Sequence, residues 1–182
     1  MKWLKTALFI GVALFSLKAV GVRADSVAAF GDIVEGPFKT DVFPSGKLWV
    51  EKINEAHKTL ALILESTNKD GGRIRRRVDA YDDGGTGLTV DSVFSYPVRG
   101  KKHVVVLVSW GVNSRGVGTY GRLYHVFAYS RGANDEIVPN KEISNDDSLF
   151  GMYGYQEGEV IKFNYKDASS IKRYIKEVVD AR

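Results

Sequence analysis

The sequence predicts an α+β fold, mainly antiparallel β in a meander or sandwich-like sheet, with an amphipathic helix at the C-terminus. Three observations predict it. Short apolar runs alternate with clusters of glycine, asparagine, aspartate and serine, which is typical of strands joined by turns. Two of these runs are long, rich in β-branched and aromatic residues, and adjacent in the chain. The last segment carries apolar residues at helical spacing.

Residues 103–110 and 122–130 are the strongest predicted strands. The first is a nearly continuous β-branched run, so both of its faces should be covered, as in a central strand. The second alternates, which places Phe127 and Tyr129 on one face and Val126 on the other. The two runs together predict a hairpin. Shorter strands are expected at 73–81, at 93–97 and, from its alternation, at 159–165.

Residues 48–66 are compatible with two structures. Apolar residues and a histidine recur in this segment at helical spacing. The segment also reads as two strands around the tetrapeptide NEAH, each bounded by turn signals. We favour the two strands.

The C-terminal helix is expected at residues 168–180, with Asp167 as its N-cap. Its apolar stripe has i, i+3, i+4, i+7 spacing and consists of Ile171, Tyr174, Ile175 and Val178. A single stripe requires one packing surface, so we expect a structural helix that covers one face of the sheet.

Residues 1–24 have the pattern of a secretory signal peptide. Two lysines precede an apolar run at residues 7–17, which is shorter than the roughly 20 residues of a membrane-spanning helix. Small residues before the expected cleavage site place the cut between Ala24 and Asp25. Residues 25–182 are then predicted to form a single domain in the periplasm. The extracellular space is the alternative location.

The charge balance of the exported part bears on its partners. Four of the 26 basic residues lie in residues 1–24 and none of the 22 acidic residues do, which leaves 22 of each in the rest. A neutral chain lacks the basic footprint expected of a protein that binds nucleic acid. Membrane insertion after cleavage is not expected either. The chain has no cysteine, so packing and not disulfides must stabilise it.

The stretch GVGTYG, residues 116–121, matches the G-x-G-x-x-G spacing of nucleotide-binding loops. A dinucleotide loop requires a strand before the glycines and a helix after them. Here a β-rich run follows, so we expect the glycines to supply turn conformations in a hairpin. No cofactor is predicted.

The connection GVNSRGVGTYG, residues 111–121, is longer than a minimal hairpin turn and is the predicted binding loop. It carries residue types that are enriched at protein interfaces. A surface turn without a binding role is the alternative. The candidate partner-binding residues are Asn113, Arg115, Tyr120 and Tyr124.

No catalytic residue and no metal ligand is predicted. The three histidines, His57, His103 and His125, lack zinc-site spacing, although the last two lie on adjacent predicted strands and could approach each other. The acidic cluster at residues 79–83 is typical of a turn. Paired carboxylates brought together by the fold remain open as an alternative.

The segment RIRRR, residues 73–77, places three arginines on one face of a strand and Arg76 on the other. Like charges at this spacing are typical of an edge strand that must not pair further. Contact with an acidic partner is the alternative.

From SVFSYPVRGKKHVVVLVSWGVNSRGVGTYGRLYHVFAY to YQEGEVIKFNYKDASSIKRYI, the chain resembles a group of small exported bacterial proteins without an assigned activity. The resemblance covers roughly the last ninety residues, and it implies no catalytic residues. By size and compartment the chain is also similar to immunity proteins, which bind and block toxins delivered into the periplasm.

Three functions follow, in order of preference. The first is a non-enzymatic inhibitor or immunity protein that sterically blocks a secreted or periplasmic enzyme, with Arg115 pairing with an acidic group of that enzyme. The second is a carbohydrate- or peptidoglycan-binding module with exposed aromatic residues. The third is a hydrolase with spatially paired carboxylates.

Overall fold

The computed structural model describes residues 31–55, 58–68, 70–82 and 86–182. The predicted cleavage site at Ala24 and Asp25 lies outside these residues, as do His57 and Asp83. The described chain forms two antiparallel sheets and a short C-terminal helix. The predicted α+β class is confirmed.

Sheet 1 is a four-stranded meander with the order β1-β2-β3-β4. Its strands are β1 Ile33–Thr40, β2 Gly46–Glu55, β3 Lys58–Thr67 and β4 Arg73–Asp82. β2 and β3 occupy the ambiguous segment 48–66, so the interpretation as two strands is confirmed. β4 lies at the edge of the sheet, as its arginines predict, and Arg75 and Arg77 pair with Glu51 and Glu55 of β2.

Sheet 2 has the order β10-β9-β7-β6-β5, and β8 pairs with the far end of β7. Its strands are β5 Thr86–Val98, β6 Lys101–Ser114, β7 Thr119–Arg131, β8 Ile137–Pro139, β9 Phe150–Gln156 and β10 Glu159–Ile161. The predicted β6–β7 hairpin is confirmed and lies at the centre. The strand expected at 159–165 ends early at Ile161, because the chain there leaves the sheet edge and crosses towards the helix.

Two α-helices follow the long strands. The short α1, Lys141–Ser144, is capped by Asn140, whose side chain accepts a hydrogen bond from the Ile143 amide. The C-terminal α2, Ala168–Tyr174, begins at the predicted cap Asp167 and continues as a π-helix, Ile175–Val179. Within the described ranges, no helix has the length and apolar character required to cross a membrane.

The first hydrophobic core lies between the two sheets. Sheet 1 contributes alternate residues of β2 and β3, and sheet 2 contributes alternate residues of β6, because successive strand side chains point to opposite faces. The fully buried members include Leu48, Leu62, Leu64, Val104, Val106 and Tyr129. We call this face of sheet 2 the inner face.

The second core lies on the opposite face of sheet 2, which we call the helix face. Here Val105, Leu107, Val126 and Ala128 pack against Ile171 and other apolar residues of the C-terminal helix. The continuous apolar run of β6 is therefore buried on both sides, as expected of a central strand. The molecule has three layers: sheet 1, sheet 2 and the helix.

The buried His103 and the half-buried His125 predict a pH-dependent stability. Burial lowers the pKa of His103 and of His125. His103 Nδ1 donates to the Lys101 carbonyl at 2.7 Å, and His125 Nε2 donates to the Ser144 carbonyl at 2.9 Å. In the unfolded chain both rings titrate at about 6.5. The unfolded state therefore binds more protons as the pH falls below that value, so the free energy of unfolding should decrease.

Urea unfolding at pH 7.5 and pH 5.5 measures this effect. Both pH values lie above the ordinary pKa values of carboxyl groups, so the titration of histidine dominates the difference. We expect a lower free energy of unfolding at pH 5.5 for the wild type. A variant carrying both His103→Gln and His125→Gln should show a smaller difference between the two pH values. An unchanged difference in that variant would show that the histidines are not responsible.

Candidate functional site

The connection between β6 and β7 is shorter than the sequence predicts. The two strands pair as far as Ser114 and Thr119, which leaves only a 3₁₀ turn, Arg115–Val117, and Gly118. The prediction of a long loop is therefore wrong, whereas the binding role of its residues stays a prediction. The glycines that suggested a loop include Gly111 and Gly121, which lie inside the paired strands.

The glycines of the GVGTYG motif have unequal roles. Gly116 has open space around it, whereas Gly118 has a left-handed backbone with φ of 69°. Gly121 has φ of 151°, and a Cβ there would collide with the Tyr153 carbonyl oxygen of β9. A strand follows the motif instead of a helix, so the glycines serve a tight turn and a close strand contact.

A second hairpin, formed by β9 and β10, is tied to this turn. The Gly158 amide donates to the Gly118 carbonyl at 3.0 Å, and the Glu157 amide donates to Thr119 Oγ1 at 3.1 Å. The adjacent Gly121 and Gly154 oppose each other across β7 and β9. The two hairpin tips are consequently held together by backbone contacts.

Polar and aromatic side chains share the helix face of sheet 2 beyond the part covered by the helix. Residues paired directly across an antiparallel sheet point to the same side. Tyr120 pairs with Asn113 and Tyr155, and Arg122 pairs with Tyr153. We call this surface the tyrosine face and define it as Asn113, Tyr120, Arg122, Tyr124, Tyr153 and Tyr155.

Stacked rings order one end of the tyrosine face. Tyr120 and Tyr155 stack with ring centroids 4.7 Å apart and an interplanar angle of 21°. The Arg115 guanidinium carbon lies 4.5 Å from the centroid of Tyr120. The three side chains therefore contact one another in series, and each restricts the motion of the next.

The segment that leads from β10 into α2 bounds the other end. Phe163 stacks on Tyr124 at 5.5 Å, and it fits there because Gly151 has no side chain to occupy the space. Lys166 Nζ lies 3.3 Å from the centroid of Tyr153. Burial raises the pKa of the Tyr124 hydroxyl above its ordinary value.

Hydroxyl groups hold Arg122 in the middle of the face. Its Nη2 donates to Ser109 Oγ and to Thr89 Oγ1, each at 2.7 Å, and its Nε donates to Ser109 Oγ at 3.2 Å. Thr89 in turn donates to Asp91 Oδ1 at 2.8 Å. Ser109 is fully buried, so this side of the guanidinium is anchored in the sheet.

The hairpin tips around the tyrosine face expose large apolar side chains. Val117 in the turn is 68% exposed and Val160 of β10, which pairs with Tyr155, is 62% exposed. Tyr153 and Tyr155 are exposed by 44% and 39%. Such a cluster of exposed apolar and aromatic residues is typical of an interaction surface.

All four predicted partner-binding residues lie on or beside this surface. Asn113, Tyr120 and Tyr124 belong to the tyrosine face, and Arg115 lies at its end. Arg115 contacts Tyr120 through its guanidinium, so part of that group is already engaged within the chain. Whether these residues bind a partner stays a prediction.

Three residues of this surface were not predicted from the sequence: Arg122, Tyr153 and Tyr155. The last two lie on β9, whose sequence FGMYGYQ resembles a turn because it contains two glycines. The available signal was the spacing of Tyr153 and Tyr155, because residues two apart share one face of a strand.

The histidines lie apart from one another. His103 pairs with Ser130 and His125 with Val108, so the expectation that the two histidines could approach each other is wrong. They occupy opposite faces of sheet 2, because paired residues point to the same side and Ser130 lies on the helix face whereas Val108 lies on the inner face. Among the residues that the structure describes, no group of three or more histidine and acidic side chains is placed to hold a metal ion.

Comparisons of the chain with protein-family models, with curated proteins and with solved structures found no match. The fold and the tyrosine face are therefore interpreted from their own geometry. The resemblance to small exported bacterial proteins stays a prediction.

Proposed function

We propose that the protein is a periplasmic, non-enzymatic binding protein that attaches to a partner enzyme through the tyrosine face and sterically blocks it. Export by the predicted signal peptide at residues 1–24 supplies the compartment. An immunity protein against a toxin delivered into the periplasm fits this description. The observation that carries the proposal is the exposed surface of tyrosines, arginine and valines at the two joined hairpin tips.

The rigidity of this surface supports a binding role. Tyrosine and arginine are the residue types that most often dominate the binding energy of protein interfaces. Here Arg115, Tyr120 and Tyr155 are already stacked, so little conformational entropy is lost when a partner docks. The hydrogen bonds between the tips, one between backbone groups and one to the Thr119 side chain, fix the relative position of the two hairpins. A rigid protrusion suits the obstruction of an enzyme cleft.

The arrangement of the rings favours a protein over a carbohydrate as the partner. A sugar stacks on the open face of an aromatic ring. Tyr120 has Tyr155 and Arg115 against its ring, Tyr153 has Lys166, and Tyr124 has Phe163. Each of these rings therefore already has a neighbour against a face that a sugar would need, whereas tyrosine hydroxyl groups and apolar ring atoms suit contacts with a protein.

The hydrolase hypothesis has weaker support. It needs two carboxylates that face each other across the bond to be cleaved. On sheet 1, Glu51 and Glu65 both approach one guanidinium, that of Arg75. Glu51 is 1% exposed and paired with Arg75, so its carboxylate is a buried ion-pair partner and is not open to a substrate.

A capture experiment with matched variants tests the proposal. The bait is the mature protein, and the source is a periplasmic extract of the producing cell with and without a neighbouring toxin. Val160→Asp places a charge in the proposed surface, and Val34→Asp places the same charge on an exposed valine of sheet 1. We expect the wild type and Val34→Asp to capture the same protein and to inhibit its activity.

Val160→Asp should lose both capture and inhibition, because a buried unpaired carboxylate is costly at an interface. Far-ultraviolet circular dichroism should show that both variants fold. Equal capture by the two variants would place the binding surface elsewhere. Inhibition that survives in Val160→Asp would contradict the steric mechanism.

A further inference from the structure

We infer that Arg122 forms a carboxylate-binding site at the centre of the tyrosine face, which receives an aspartate or glutamate side chain of the partner protein. The inference rests on the proposed function and goes beyond it, because it assigns the chemistry of the contact. It also moves the expected acid-pairing residue from Arg115 to Arg122.

The first reason is the geometry of the guanidinium. Nε and Nη2 are held by Ser109 and Thr89, which fixes the plane of the group relative to the sheet. Nη1 has no hydrogen bond to Ser109 or Thr89, and the Tyr124 hydroxyl is the further group that interacts with the guanidinium. Since Nε and Nη2 are engaged, the donors left for a partner are the N–H groups of Nη1, which can form charge-assisted hydrogen bonds with a carboxylate oxygen.

The second reason is the uncompensated charge. The oxygens that accept hydrogen bonds from Arg122 belong to neutral hydroxyl groups, and within the described ranges no carboxylate lies within 4.0 Å of it as an ion-pair partner. A partly buried charge is stabilised by an opposite charge. By contrast, Arg99 is paired through Nε and Nη2 with the two oxygens of Glu142, at 3.1 Å and 2.7 Å.

The third reason is the surrounding charge. Arg115 and Lys166 lie over tyrosine rings at the two ends of the face, so cations flank Arg122 on the same surface. Asp91 is the nearby acid, and it interacts with the cluster through Thr89. The charge pattern is complementary to an acidic partner, and Asp91 limits how strongly a free anion is attracted.

A titration that needs no protein partner tests the site directly. The probe is N-acetyl-glutamate N-methylamide, and its matched neutral control is N-acetyl-glutamine N-methylamide. The readout is the NMR signal of the Arg122 Nε–H group in the full mature protein. We expect a saturable shift with a millimolar Kd for the glutamate probe and none for the glutamine probe. Arg99 should not respond, because Glu142 already occupies it.

Two variants keep the test decisive. Arg122→Gln should abolish binding of the glutamate probe at the remaining tyrosine-face signals, and Asp91→Asn should strengthen it. If Arg122→Gln is unfolded by circular dichroism, Ser109→Ala, which removes the oxygen that holds both Nε and Nη2, serves instead and should weaken binding. An Arg122 signal that does not respond, or that responds equally to both probes, would overturn the site.

The affinity of the captured partner protein provides a second test. Arg122→Gln should weaken the complex at least about tenfold, as expected for loss of one member of a desolvated charge pair. Inorganic phosphate that binds more tightly than the glutamate probe would overturn the carboxylate assignment. Because the probe titration is independent of the capture experiment, a failed titration leaves the proposed function standing. A failed capture beside a positive titration would keep the carboxylate site and overturn its assignment to a partner protein.

Discussion

Replacing Gly121 with alanine is expected to destabilise the protein by about 2–5 kcal/mol, since a strained backbone and an overpacked contact each cost about 1–3 kcal/mol. A Cβ at this position would collide with the Tyr153 carbonyl oxygen and approach the Gly154 Cα at 2.9 Å. Both contacts are with backbone atoms of β9, which cannot rotate away. The expected result is a loosened β7–β9 ladder and a detached β9–β10 hairpin.

Gly116→Ala is the matched control within the same motif. No heavy atom lies within 4 Å of a Cβ built there, and the turn is exposed. We expect its free energy of unfolding to lie within about 0.5 kcal/mol of the wild type. Urea unfolding of both variants measures the difference. Equal stability of the two alanine variants would contradict the close contact between β7 and β9.

Leu107→Ala is expected to cost about 2–5 kcal/mol, the range for truncating a fully buried leucine. Leu107 is 0% exposed and lies on the helix face of the central strand β6, beneath the C-terminal helix. Its neighbours are strand residues on a hydrogen-bonded sheet, so they cannot collapse far into the space that the leucine leaves. The cavity should therefore remain open, and its free-energy cost adds to the loss of the buried apolar surface.

The control for Leu107→Ala is Val117→Ala, which truncates a side chain that is 68% exposed in the hairpin turn. Its effect should stay within about 0.5 kcal/mol. Chemical denaturation should show that the slope of the free energy of unfolding against denaturant concentration is unchanged in both variants, because the fold is retained. A loss below about 1 kcal/mol for Leu107→Ala would contradict the second core, since a buried leucine-to-alanine change costs about 2 kcal/mol or more.

The fold was largely predictable because the strongest sequence signals come from buried residues. The run of β6 is apolar on both faces, and its position between two cores explains why. The stripe of the C-terminal helix faces one sheet, as a single stripe must. The hairpin of β2 and β3 was recognisable from its turn signals, although its apolar spacing also fitted a helix.

The candidate site was less predictable because it is assembled from strands distant in sequence. Arg122 is held by Thr89 on β5 and Ser109 on β6, and these residues become neighbours only through the register of the three strands. Glycines were read as turn formers, yet Gly121 and Gly154 lie inside paired strands where two backbones approach closely. That misinterpretation lengthened the predicted loop and concealed β9 with its two exposed tyrosines.

If the joined hairpin tips form the binding surface, the affinity of the captured partner depends on the exposed side chain of Val160. The measurement is the Kd of that partner for the wild type, Val160→Asp and Val34→Asp by isothermal titration calorimetry. We expect the same Kd for the wild type and Val34→Asp, and a Kd at least about tenfold higher for Val160→Asp. Equal affinity of Val160→Asp and the wild type would contradict it.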